Sequence, residues 1–254
     1  MPPVAVMYPQ LPTAPADFAE LSQIFYRYVV RPMDELHHKL TQFISQKSSS
    51  DSAKQAAQAI QLELRQQTSR AQTHWEEAGC NTNTPLFLKC LQIETLFQTA
   101  QFSAINRLLK TLPAIRQTNE PEALLYLAQT AAICGLPSVA MRLIPVLPES
   151  QQKDELVWVI RILQHEHLQD AQLESRFLAA KDWLVQHGIT IACCGLSYSI
   201  IDDWLLDLAI YIIEPDMEKL VQANVDLDNY LLDTFPAKLP VGICIHLHSI
   251  QELN

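Results

Sequence analysis

One internal recurrence constrains this chain more than any other feature. Leu86 to Pro113 aligns without gaps on Pro121 to Pro148, at an offset of 35 residues. Thr95 matches Thr130, Ser103 matches Ser138, Arg107 matches Arg142, Leu108 matches Leu143, Leu112 matches Leu147 and Pro113 matches Pro148. Each copy reads as a helix, a short break and a second helix that stops at Leu-Pro. The breaks are Ala100-Gln101-Phe102-Ser103 and Gly135-Leu136-Pro137-Ser138. A lone helical hairpin cannot bury its apolar face, so a unit of this length recurring in tandem packs against its neighbour. Composition agrees. Five glycines against fifteen prolines are a poor stock for the tight turns of an all-β fold. With 48% hydrophobic and 18% charged residues, 254 residues can fill one large core or two smaller ones.

A period near 35 built from two antiparallel helices resembles tetratricopeptide-type repeats. In the second copy Ala128, Gly135 and Ala140 fall where that family places small residues, because two helices approach closely there. The first copy departs from the pattern with Ile105 at the position of Ala140, and most hallmark aromatic positions are missing. A third, poorer unit runs from about Asp154 to Trp183. The resemblance covers 85–148 and implies stacked hairpins with a concave surface for a partner peptide or helix. Arg107 and Arg142, one unit apart, are the candidate partner-binding residues. They either line one groove or pack over the preceding hairpin.

Around this centre the chain divides into four segments. Residues 1–14, with Pro2, Pro3, Pro9 and Pro12, read as a disordered or extended lead-in. Residues 15–79 read as N-terminal helices: Asp17 caps a stripe of Phe18, Leu21, Ile24, Phe25 and Tyr28, Pro32 interrupts it, and a second helix spans about 33–44. A serine-rich linker, 47–52, then leads into one long, Gln-rich helix over 52–78, expected to be exposed along much of its length and closed by Gly79. Residues 80–187 form the helical-hairpin repeat body, and 188–254 a small acidic α/β module. The predicted fold class is therefore mainly α, repeat-like, with a C-terminal α/β appendix.

The appendix reads as strand, strand, helix, strand: Ile189 to Cys194, Leu206 to Ile213, Met217 to Phe235 and Leu239 to Ile250. Its helix carries Leu220, Val221, Val225, Leu227, Leu231 and Leu232. A strand running into Gly195-Leu196-Ser197, followed by Asp207 on a second strand, resembles a minimal nucleotidyltransferase scaffold. That resemblance implies a Gly-Ser turn at Gly195 and Ser197 and a Mg²⁺-binding acid at Asp207, with Asp203 nearby. The sequence departs from it: the paired-acid position holds Leu205 or Ala209, and the last strand offers Gly242, Cys244 and His246 where a third acid is needed. The catalytic candidates are accordingly Ser197, Asp203 and Asp207, in an enzyme or a pseudoenzyme.

Cys244, His246 and His248 alternate along the last strand and so share one face, about 7 Å apart from one to the next. With Cys193 or Cys194 as a fourth donor they are candidate ligands of a tetrahedral zinc ion. The competing reading is a solvated or partner-facing histidine face opposite buried Ile243, Ile245 and Leu247. No CxxC knuckle, phosphate loop, Rossmann fingerprint or HExxH occurs, and no cofactor is expected.

Charge selects among partners. The chain carries a net charge of −10, which argues against a nucleic-acid partner and against anionic membrane. Ten of the acids lie in residues 200–254, against Lys219 and Lys238 alone, so the acidity belongs to the α/β module and suits a basic partner surface. No apolar run approaches a membrane span, no secretory leader is recognised, and six scattered cysteines fit a reducing cytoplasm, although a non-classically secreted effector would read alike. The function expected is a protein-interaction role as adaptor, chaperone or complex subunit. A nucleotidyltransferase-like enzyme or pseudoenzyme is the alternative.

Overall fold

A computed structural model describes residues 5–7, 9–28, 33–79, 85–115, 119–165, 169–201, 203–213, 216–235, 239 and 243–249. The chain is mainly α with a small C-terminal α/β module, as the sequence predicts. It divides into two compact units. One comprises 11–113 with 118–126; the other comprises 1–10, 114–117 and 127–254.

The first unit holds α1 (Ala19–Tyr28), α2 (Met33–Ser45), α3 (Asp51–Leu64), α4 (Thr68–Glu77), α5 (Leu86–Gln98), α6 (Phe102–Lys110) and the start of α7 (Pro121–Ile133). Its core gathers Leu21, Phe25, Leu36, Leu40, Phe43, Ile60, Trp75, Phe87 and Leu91. Phe18 and Phe87 meet with ring centroids 5.8 Å apart. The single helix expected over 52–78 is instead the pair α3 and α4, broken at Gln66, whose φ is +56°. Nor is α3 largely exposed: Ala53, Ala56, Ala57 and Ala59 are buried with Ile60. Alanine contributes little to an apolar stripe, yet it lets neighbouring helices approach closely.

The break at Gln66 has two counterparts. Ala100, between α5 and α6, has φ +55°; Gly135, between α7 and α8 (Pro137–Leu143), has φ +72°. At all three the next residue's N–H donates to a carbonyl five residues back: Gln67 to Leu62, Gln101 to Leu96 and Leu136 to Ala131, at 2.8–2.9 Å. Each left-handed residue also donates to the carbonyl three back. This is the Schellman closure, which satisfies the last carbonyls of the helix.

The second unit continues with α9 (Gln151–His165) and α10 (Asp170–Gln186) and then the sheet. Four strands run in the order β1 (Ala5–Met7), β2 (Ile191–Ile201), β3 (Asp203–Ile212), β4 (Ile243–Ser249). β1 with β2 and β2 with β3 are antiparallel, whereas β3 and β4 are parallel. Parallel neighbours need a crossover, and α11 (Met217–Thr234) supplies it, started by Asp216, whose carboxylate accepts the Glu218 and Lys219 N–H groups. Two expectations change here. The proline-rich lead-in contributes Ala5–Met7 as an edge strand, paired through Val6 with Ser197. Gly195 and Ser197 lie inside β2 rather than in a turn after it, because the strand extends seven residues past Cys194.

Among the described residues, no helix is long and apolar enough to cross a membrane.

Candidate functional site

The parallel pairing of β3 and β4 places Asp207 beside Cys244, Ala209 beside His246 and Tyr211 beside His248. Along β4 the odd positions Ile243, Ile245 and Leu247 are buried. The even positions Cys244, His246 and His248 therefore share the opposite face, as alternation requires. Ala209, the smallest side chain of its row on β3, leaves room for the imidazole opposite. The Asp207 side chain is only 6% exposed, and all three β4 side chains reach it. His248 Nε2 lies 2.6 Å from Oδ2. His246 Nδ1 lies 3.6 Å from Oδ1, and Cys244 Sγ lies 3.7 Å from the same oxygen. The donor atoms of Asp207, Cys244 and His246 all fall within 4.8 Å of one another. Burial, then the neighbouring Asp207 charge, pushes the Cys244 thiol up to about 12.

Beside this cluster opens a cavity of about 320 Å³, lined among others by Cys244, His246, Asp228 and Arg176. Arg176 is buried on α10. Its guanidinium sits 4.9 Å from the centre of the Phe235 ring and donates to the Gln172 carbonyl at 2.8 Å. Burial holds its pKa below the ordinary arginine range.

The other predicted site residues scatter. Cys193 pairs with Tyr211, a whole strand away from His248, and Cys194 is buried on the opposite face of β2. Ser197 stands across from Asp207 in register, with its side chain outside the described residues. Asp203 opens β3, its side chain likewise undescribed. Four residues of strand, about 13 Å, separate it from Asp207, too far to share one ion. Arg107 and Arg142 are both exposed, on α6 and α8, in different units.

A second surface was legible only in part. The apolar positions of α11 divide in two: Leu220 and Leu227 are buried, while Met217, Val221, Val225 and Leu232 are 48–60% exposed. At 100° per residue those four fall within about 80° of one another, so they form one row. Glu218, Asp226, Asp228 and Asp233 share the helix with it, all exposed. In the sequence the two apolar sets merge into one broad stripe, and only its excess width hinted at a second face.

Comparison with known proteins returned no matching family model, no matching curated protein and no matching solved structure.

Proposed function

We propose that this chain is a protein-interaction subunit or adaptor that docks a basic, amphipathic segment of a partner on α11 of its C-terminal module. The row of Met217, Val221, Val225 and Leu232 carries the reading. Apolar side chains exposed singly are ordinary, but four on one helical face are unusual and favour a covering partner. The surrounding acids would select a basic segment and speed its encounter. Arg107 and Arg142, each exposed in its own unit, belong to the same proposal as separate candidate partner contacts. Tetratricopeptide-like kinship over 85–148 draws support from the recurring turns at Gln66, Ala100 and Gly135. A cytosolic setting is proposed with it, on the scattered cysteines.

A nucleotidyltransferase-like reading rests on Asp207 facing Ser197. It is the weaker one, because the strand holds Asp203 away from Asp207.

The test is quantitative co-purification from the native cells with the parent chain and with V221S/V225S, after circular dichroism has confirmed equal folding. A protein captured by the parent, lost from the variant and released by moderate salt supports docking on α11. Capture that is identical in both chains removes α11 from the interaction.

A further inference from the structure

The Asp207 cluster differs in kind from a buried ion pair. A buried carboxylate has two oxygens to serve, and His248 occupies Oδ2 at 2.6 Å. Oδ1 faces two further side chains, a thiol at 3.7 Å and an imidazole nitrogen at 3.6 Å. The imidazole distance exceeds an ordinary N–H···O bond; the thiol makes only long S–H···O contacts, to Oδ1 at 3.7 Å and to the Leu206 carbonyl at 3.8 Å. The two distances to Oδ1 lie a few tenths of an ångström above the spacing between two ligands of one tetrahedral ion, about 3.3–3.5 Å for metal bonds of about 2.0–2.3 Å, a gap that small side-chain rotations close. Oxygen, sulfur and nitrogen form a mixed donor set that suits a borderline-soft divalent ion rather than Mg²⁺ or Ca²⁺, which take oxygen ligands.

We infer that Asp207 Oδ1, Cys244 Sγ and His246 Nδ1 bind one divalent transition-metal ion of the zinc class, with His248 as a positioning residue that holds Asp207 through Oδ2. The assignment revises the set read from strand alternation. Asp207 from the neighbouring strand takes the place of Cys193 or Cys194, and His248 moves outside the coordination sphere. A hydrogen-bonded partner behind a ligating group is the usual device for fixing its orientation. Both strands of the site are paired through consecutive residues from Leu206–Ile243 to Ile212–Ser249, so the three ligands stand on a rigid frame. Three protein ligands leave one tetrahedral position for water, and the cavity bordered by Cys244 and His246 gives water access to it. Binding exchanges the thiol proton of Cys244 for the metal–sulfur bond and releases that proton to solvent.

Full-length protein, stripped with a chelator and titrated with Co²⁺, should bind one ion per chain. It should develop both a thiolate-to-cobalt charge-transfer band and the intense visible bands of tetrahedral cobalt. Zn²⁺ should displace the cobalt stoichiometrically. Cys244→Ser should lose the charge-transfer band, and the isosteric Asp207→Asn should lose stoichiometric binding while keeping the parent circular dichroism. His248→Ala should weaken affinity by about 10–100-fold with the band positions unchanged, and His248→Gln should restore part of the loss. Cobalt spectra of the parent chain need no variant to fold. A parent chain that binds well below one ion, or shows no charge-transfer band, overturns the assignment, as does a band that survives Cys244→Ser.

Discussion

The two units use the same turn and fill it differently. At the helix–helix junctions the left-handed residues are Gln66 and Ala100 in the first unit and Gly135 in the second, where Gly188 also closes α10 in the same way. The hydrogen bonds that close the three junctions are alike to within 0.1 Å for the longer-range bond. The backbone alone therefore does not demand glycine. At Gly135 the neighbour demands it, whereas Gly188 has open space where a Cβ would stand. A Cβ built on Gly135 would stand 2.8 Å from the Leu173 carbonyl carbon and 2.7 Å from the Glu174 nitrogen, backbone atoms of α10 that cannot swing aside. At Ala100 a side chain fits. Beside it the Gln101 amide donates to Glu63 Oε2 at 2.7 Å and to Thr99 Oγ1, while its carbonyl accepts the Thr68 hydroxyl. One unit joins consecutive hairpins by backbone contact and the other by a polar side-chain network.

Exchanging the two turn residues separates the backbone requirement from the neighbour's. Gly135→Ala combines left-handed strain with a backbone clash and should destabilise the second unit by about 2–5 kcal/mol. Ala100→Gly removes strain of the first kind only, against the extra freedom gained by the unfolded chain, and should change the first unit by less than about 1 kcal/mol. Hydrogen exchange read separately in α5–α6 and α7–α8 distinguishes them. Equal losses at both positions would mean that the turn, not its neighbour, sets the requirement.

Amide side chains tie elements in the second unit too. Asn224 of α11 receives the Leu247 N–H at 2.8 Å and donates to the Leu247 carbonyl at 2.9 Å. It thus pairs with a residue of strand β4 as a further strand would. Removing it should cost about 1–3 kcal/mol and open a sheet edge. Asn224→Ala should accordingly speed amide exchange at Leu247 while leaving the first unit unchanged. Unaltered protection along β4 would show that the amide pair is incidental.

These side-chain links explain what the sequence made legible and what it hid. Helix–break–helix periodicity over 86–148 was visible because apolar spacing and the Leu-Pro stops are local. The α3–α4 break was not. Left-handed closures are usually flagged by Gly or Asn, and Gln66 carries neither signal. Ala53, Ala56, Ala57 and Ala59 look weakly apolar although they pack tightly. For the cluster, alternation placed Cys244, His246 and His248 on one face correctly, since period two is a property of one strand. Which strand lies beside them is a matter of pairing. Read along the chain, Asp207 suits a different chemistry, because nothing local to it announces Cys244 as its neighbour.

The polar network in the first unit also makes its stability depend on pH. Glu63 is almost fully buried. That burial pushes its pKa above the ordinary carboxylate value, against the hydrogen bond from Gln101 that pulls it down. The folded unit therefore binds the Glu63 proton more tightly than the unfolded chain does. A carboxyl shifted in this sense contributes stability that is fully present below its unfolded pKa and is lost as pH rises through the folded one. Moving from neutral pH toward the unfolded carboxylate range should thus stabilise the first unit at this position. Glu63→Gln, which keeps an oxygen for the Gln101 amide, should flatten that slope and raise stability near neutral pH. Thermal unfolding of both chains across the same pH series gives the difference directly, with the other titrating groups common to both. Parallel curves would mean that solvent reaches Glu63 in the folded protein, and that the polar junction between the first unit's hairpins is wetter than the backbone junction at Gly135.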